Sequence, residues 1–201
     1  MQCIPTTSAS LLHRPVSWVE PLSWANLFPA LGPVEVELGS GDGSFLAQWA
    51  GTTPDRNFIG VERLLGRLRK LDRKAQRARL ANLRLIRIEA GYFLQYLLPP
   101  ASIRALHVYF PDPWPKRKHR KHRLVNPRFP ELAARVLEPG GSVHLRTDDA
   151  NYFAQMEEVF AGDQRFTRVP TPETLKAVLT DFERVFHAGG VPTRHADYQR
   201  G

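Results

Sequence analysis

Residues 110–123, FPDPWPKRKHRKHR, set one carboxylate, Asp112, between two prolines and ahead of an eight-residue run, Lys116 to Arg123, in which six residues are Lys or Arg. Pro111 and Pro113 fix φ on both sides of the acid and bias Asp112 away from helical backbone, so this loop is stiff. A carboxylate and the indole of Trp114, held in one geometry, suit a site better than a connector. Cations supply affinity and register on a phosphate backbone while contacts to bases specify, so an acid at the foot of a cationic collar fits a polyanion that carries one reacting base.

A second constellation lies in VEVELGSGDGSF, residues 34–45, where Gly39, Gly41 and Gly43 follow an apolar run. Glycines there let the backbone turn tightly and approach a ligand. The G-x-G-x-G spacing departs from the dinucleotide fingerprint, and Glu37 beside the loop would repel a pyrophosphate. A cationic ligand suits it better. Glu62 follows about twenty residues later, where an acid takes ribose hydroxyls. Glu89, in RIEAGYF, falls where a carboxylate could accept from an adenine amino group. A ribose without phosphates, next to a cation, describes S-adenosylmethionine.

Positioning these acids requires strands that end together. Apolar runs alternate with helix-period stretches from residue 34 onward, the pattern of a mainly parallel sheet with helices on both faces. Strands are expected at 34–38, 57–62, 83–89, 105–110 and 142–147, which places Glu37, Glu62 and Glu89 at or near the carboxyl edge, where open α/β sheets bind ligands. Helices are expected over 63–79, with one apolar stripe and a basic face; over 127–141, with Gly140 and Gly141 as its stop; and over 150–160 after Asp149 as N-cap. RFTRVP and FERVFHAGG read as possible C-terminal strands flanking a loop.

The chain of 201 residues is read as one domain, 1–201, with residues 1–30 as an N-terminal extension too generic to assign. Its net charge of +8 points to a polyanionic partner. Cys3 is the sole cysteine, so neither a disulfide framework nor a cysteine metal site is expected, and no metal is. No run is apolar and long enough to cross a bilayer, and a cytoplasmic location without membrane association is expected.

VEVELGSGDG, FIGVE, YFPDPWPKRKHRKHRL, LEPGGSVHLRTD and TDFE, in this order over about residues 24–186, resemble the bacterial tRNA (guanine-N7)-methyltransferase family. FPDPWPK is the most specific of these elements. The resemblance implies a Rossmann-like class I methyltransferase fold with a C-terminal antiparallel hairpin. It implies transfer of a methyl group from S-adenosylmethionine to N7 of guanosine 46 in the variable loop of tRNA. By motif it assigns cofactor contacts to Glu37, Gly39, Gly41, Glu62, Glu89 and Asp112, with Asp112 also catalytic. Substrate contacts fall to Lys116, Asp148, Thr180, Asp181, Phe182 and Glu183. Glu89 stands where the family more often has Asp. A methyltransferase acting on a protein or small molecule, and a non-catalytic RNA binder, are the rival readings, and monomer against homodimer is left open.

Overall fold

The computed structural model describes residues 10–201; Cys3 lies outside the described residues. An eight-stranded sheet runs in the order β1-β4-β3-β2-β5-β6-β8-β7. Its strands are β1 (Leu12–His13), β2 (Val34–Leu38), β3 (Asn57–Val61), β4 (Leu83–Ile86), β5 (Ile103–Tyr109), β6 (Leu137–Thr147), β7 (Phe166–Val169) and β8 (Arg194–Arg200). β1 to β6 pair in parallel, whereas β8 is antiparallel to both β6 and β7. The expected α/β class and its antiparallel end are both present.

Strand alternation splits the interior into two cores. Val34, Val36 and Leu38 of β2 enter one, with Leu106, Val108, Val143 and Leu145, under α5 (Phe129–Val136) and α6 (Ala150–Ala161). The other contains Phe58, Leu83 and Leu85 under α2 (Leu46–Thr52) and α3 (Leu65–Arg77). Glu35 and Glu37 point into that second side, both buried.

Four expected boundaries are corrected. The strand expected over 83–89 stops at Ile86, because Glu89 instead caps a short helix, α4 (Ala90–Tyr92), accepting from Gly91 N at 2.8 Å and Tyr92 N at 2.7 Å. α4 continues as a π-helical turn, Phe93–Leu97. The helix expected over 127–141 ends at Val136, and Gly140 and Gly141 lie inside β6, where the pairing with β5 shifts register. FERVFHAGG is not a strand: Thr180 and Glu183 form a reciprocal capping box that starts α8 (Asp181–Ala188). Part of the unassigned N-terminal stretch is structured, contributing β1 at the sheet edge and α1 (Trp24–Leu27). Asp149 caps α6 as expected, accepting from Tyr152 N at 2.7 Å. A further short helix, α7 (Glu173–Lys176), precedes α8 between β7 and β8.

Candidate active site

The carboxyl ends of β2, β3 and β5 and the loop after β4 enclose a cavity of about 300 Å³, whose lining includes Gly39, Glu62, Glu89, Phe110, Asp112 and Trp114. Three of the four acids expected to share a site, Glu62, Glu89 and Asp112, thus line one cavity, while Glu37 is buried on β2 within electrostatic reach of Glu62. Gly39 and Gly41 take φ of +85° and +56°, a backbone that side chains rarely adopt, and no atom stands within 4 Å of where a Cβ would sit on Gly39. Gly39 N and Ser40 N both donate to Val61 O, tying the loop to β3. Glu62 stiffens it further, accepting from Gly41 N at 3.2 Å and Leu64 N at 2.8 Å.

Glu37 is buried, and its Oε2 has no hydrogen-bond partner. Burial pushes its carboxyl up to about 8; Arg146 draws it down, while Glu62 and Asp42 push it further up. An unsatisfied buried acid beside an open glycine turn asks for a cationic donor from outside the chain. The ammonium of S-adenosylmethionine would be such a donor, and the carboxylates of Glu62 and Glu89 on the cavity wall would suit its hydroxyl and amino groups.

Asp112 is exposed at the cavity lip, its Oδ1 accepting from Trp114 N at 3.0 Å. Phe110 and Trp114, on either side, both have positive φ, +49° and +43°. For bulky side chains this is sparsely populated backbone, of the kind that concentrates at functional sites. The prolines forecast a stiff loop; nothing in the sequence announced these two conformations. Trp114 is half-buried, its ring 5.1 Å from that of His122 and 5.9 Å from that of His119, so it both packs under the basic run and lines the cavity.

The basic run forms a 3-10 turn, Arg117–His122, with Lys116 exposed at its start. Arg123 behaves differently from its neighbours. It is buried, donating from Nε to Pro113 O at 2.7 Å, from Nη1 to Gln155 at 2.7 Å and from Nη2 to Asn151 at 3.0 Å. One cation of the collar therefore pins the Asp112 loop to α6.

The remaining candidates lie away from the cavity wall. Asp148 is half-buried at the end of β6, its carbonyl accepting from Arg194. Asp181 is exposed, paired with Arg184 at 2.6 Å and with its N–H donating to Ser44 Oγ at 3.0 Å. Phe182 is half exposed, its ring 6.0 Å from that of Phe110 on the cavity wall. Glu183 has no exposed surface and Thr180 little, so their side chains hold the segment and present nothing to a ligand. Glu183 accepts instead from Arg146, which also donates to Val178 O and Leu175 O and lies 4.1 Å over the Tyr109 ring.

Sequence reasoning missed Arg146, Arg123 and a buried hydrogen-bonded network on β2 and β5. Glu35 accepts from Trp49 Nε1 and His107 Nε2, each at 2.8 Å, and from Arg56 at 2.5 Å; His107 Nδ1 faces Tyr109 OH at 2.9 Å. The Glu-x-Glu alternation in VEVEL was the available signal.

A family model described as putative methyltransferase matches residues 32–195. Among solved structures, a 16S rRNA methyltransferase, KamB, superposes with a TM-score of 0.64 at 16% identity, covering 89% of this chain and 92% of that one. A putative methyltransferase from Streptococcus mutans in complex with SAH superposes at 0.55 and 16% identity, covering 85% and 89%. Fold and cavity together define a Rossmann-like class I methyltransferase, with S-adenosyl-L-methionine as cofactor. A tRNA (guanine-N(7)-)-methyltransferase of Syntrophotalea carbinolica is 32% identical, over 93% of this chain and 82% of its own. The corresponding protein of Geobacter metallireducens is 31% identical, over 90% and 86%. The chain belongs to the tRNA (guanine-N(7)-)-methyltransferase family.

Proposed function

We propose that the protein methylates N7 of guanosine 46 in tRNA, with Asp112 as the residue that serves the reaction. The carrying observation is Asp112 itself: a carboxylate held between two left-handed residues at the cofactor cavity, with a cationic turn directly behind it. When bound, S-adenosylmethionine supplies an electrophilic methyl group. Guanine N7 offers a lone pair in the ring plane and carries no hydrogen, so no general base is needed. The protein's contribution is then orientation and charge. Positive charge grows on the guanine imidazole ring as N7 is alkylated, and a fixed carboxylate at its edge opposes that cost. Asp112 is an orienting and electrostatic residue in this reading.

Lys116 and its exposed neighbours supply phosphate contacts, and Asp148 can accept from guanine N1–H and the exocyclic amine together, which adenine cannot offer. The exposed Asp181 and Phe182 complete the substrate side. The test is methyl transfer from labelled cofactor to unmodified tRNA, followed by nucleoside analysis, with tRNA carrying adenosine at position 46 and Asp112→Ala as controls. Labelled 7-methylguanosine is expected only from the unaltered protein and unaltered tRNA. Label elsewhere, or none despite cofactor binding, rejects the reading.

A further inference from the structure

A second cavity, of about 360 Å³, adjoins the first and shares Glu89, His122 and Leu124 with it. Tyr92, Tyr96, Lys121 and Arg128 all line it. The tyrosine rings lie 4.6 Å apart, tilted by 45°. Tyr92 OH donates to Trp18 O at 2.9 Å, and Gln95 Nε2 donates to Tyr96 OH at 2.9 Å, so both rings are held. Tyr96 nevertheless keeps 44% of its surface exposed.

The backbone beneath these rings is the π-helical turn, a form that concentrates at functional sites. Two of its carbonyls, and that of the following Leu98, are capped by one side chain. Arg135 donates to Leu94 O at 2.6 Å, Gln95 O at 3.0 Å and Leu98 O at 3.1 Å, making the turn a rigid platform. On the same cavity, neither Lys121 nor Arg128 pairs with a carboxylate among the described residues. An exposed ring on a rigid base, with unpaired cations on the same cavity, recognises an unstacked nucleotide: the ring takes the base and the cations its phosphate. The volume lies within the range of about 300–1,000 Å³ usual for small-molecule sites.

We propose that this cavity is a second nucleotide subsite, holding a nucleotide next to the methylated guanosine with its base on Tyr96 and its phosphate between Lys121 and Arg128. The inference rests on the methylation reading above, because the two cavities share a wall and adjacent nucleotides of one strand enter adjacent cavities. Extruding the target base costs stacking energy, which capture of its neighbour offsets.

A double-mutant cycle on the full chain tests it, reading both turnover and tRNA affinity in the presence of S-adenosylhomocysteine. One partner is Tyr96→Ala; the other is tRNA made abasic at either neighbour of guanosine 46. Each change alone should weaken binding about tenfold. Together with the correct neighbour they should weaken it no further, while Tyr96→Phe and cofactor affinity stay near normal. Arg128→Gln should lower the salt slope by about 0.7–0.9. Additive losses at both neighbours, or an undiminished affinity in Tyr96→Ala, overturn the subsite. Absence of 7-methylguanosine from the unaltered pair overturns the methylation reading separately, and the affinity cycle still decides whether a nucleotide sits on Tyr96.

Discussion

Arg146 Nη1 donates to Glu183 Oε2 at 2.9 Å with both side chains sealed from water, 1% and 0% exposed. This pair joins the end of β6 to the capping box of α8, and through it one strand dictates where residues 180–183 stand. A buried ion pair is strongly destabilised when one partner goes, because the other charge is stranded. Glu183→Ala should cost about 3–5 kcal/mol in urea denaturation, and adding Arg146→Met should recover part of that loss. A double-variant loss equal to the sum of the two single losses would show that the charges do not depend on one another.

Asp112→Asn keeps the acceptor for Trp114 N and removes only the charge. Turnover should fall about 10²–10³-fold, as for loss of a preorganised electrostatic group. Cofactor affinity should change far less. A near-normal rate at saturating tRNA would strip Asp112 of its electrostatic role.

Lys116, Arg117 and Lys118 are exposed at the start of the 3-10 turn. Replacing all three with Ala should lower the slope of log affinity for tRNA against log salt by about 2–3, at about 0.7–0.9 per phosphate contact. Cofactor binding should be spared. An unchanged slope would remove these residues from the RNA surface.

Glu37 holds a proton in the ligand-free protein up to about 8, against an ordinary value of 4.5. Between those limits the folded state carries the extra proton, so ligand-free stability falls as pH rises through the window. A cationic cofactor beside the carboxyl favours its charged form and expels that proton. Calorimetry at pH 7 in two buffers of different ionisation enthalpy should register proton release on cofactor binding, and Glu37→Gln should abolish it. No release from the unaltered protein would break the link between Glu37 and the cofactor.

The buried Glu35–His107 pair sets the acid limit. Burial lowers His107 to about 4, the Glu35 contact only partly restoring it, so the folded state holds a neutral imidazole. Burial raises Glu35, but the hydrogen bonds from His107, Arg56 and Trp49 outweigh it and leave the carboxyl at about 2. Both values lie below those of the unfolded chain. Stability from His107 is therefore complete above 6.5 and lost toward 4, and that from Glu35 is complete above 4.5 and lost toward 2. Thermal melting should drop across the upper window, and His107→Gln should flatten it there; an unchanged profile would show that protonation of His107 is not what limits stability.

What was legible in the sequence was local. VEVEL placed β2 as a short apolar, β-branched run, Asp149 read correctly as a cap, and the proline pair around Asp112 announced a stiff loop. What failed was either ambiguous or distant. Gly140 and Gly141 read as a helix stop although the chain had already entered β6, since glycines serve a strand irregularity equally well. Val185 and Phe186 carry β propensity, but the Thr180–Glu183 capping box outweighs it. Arg123 looked like one more collar cation because its partners, Asn151 and Gln155, lie a helix away, and Arg146 meets Glu183 only in three dimensions.

β8 lies between β6 and β7, with Ser142 opposite Gln199 on one side and Phe166 opposite Arg200 on the other. β7 is therefore made before the strand that joins it to the sheet. β7 thus reaches the sheet only through β8, which pairs with β6 and carries β7 on its other side. The stretch that carries Asp181 and Phe182 is thus tethered twice, by β8 through the sheet and by the Arg146–Glu183 pair through the core.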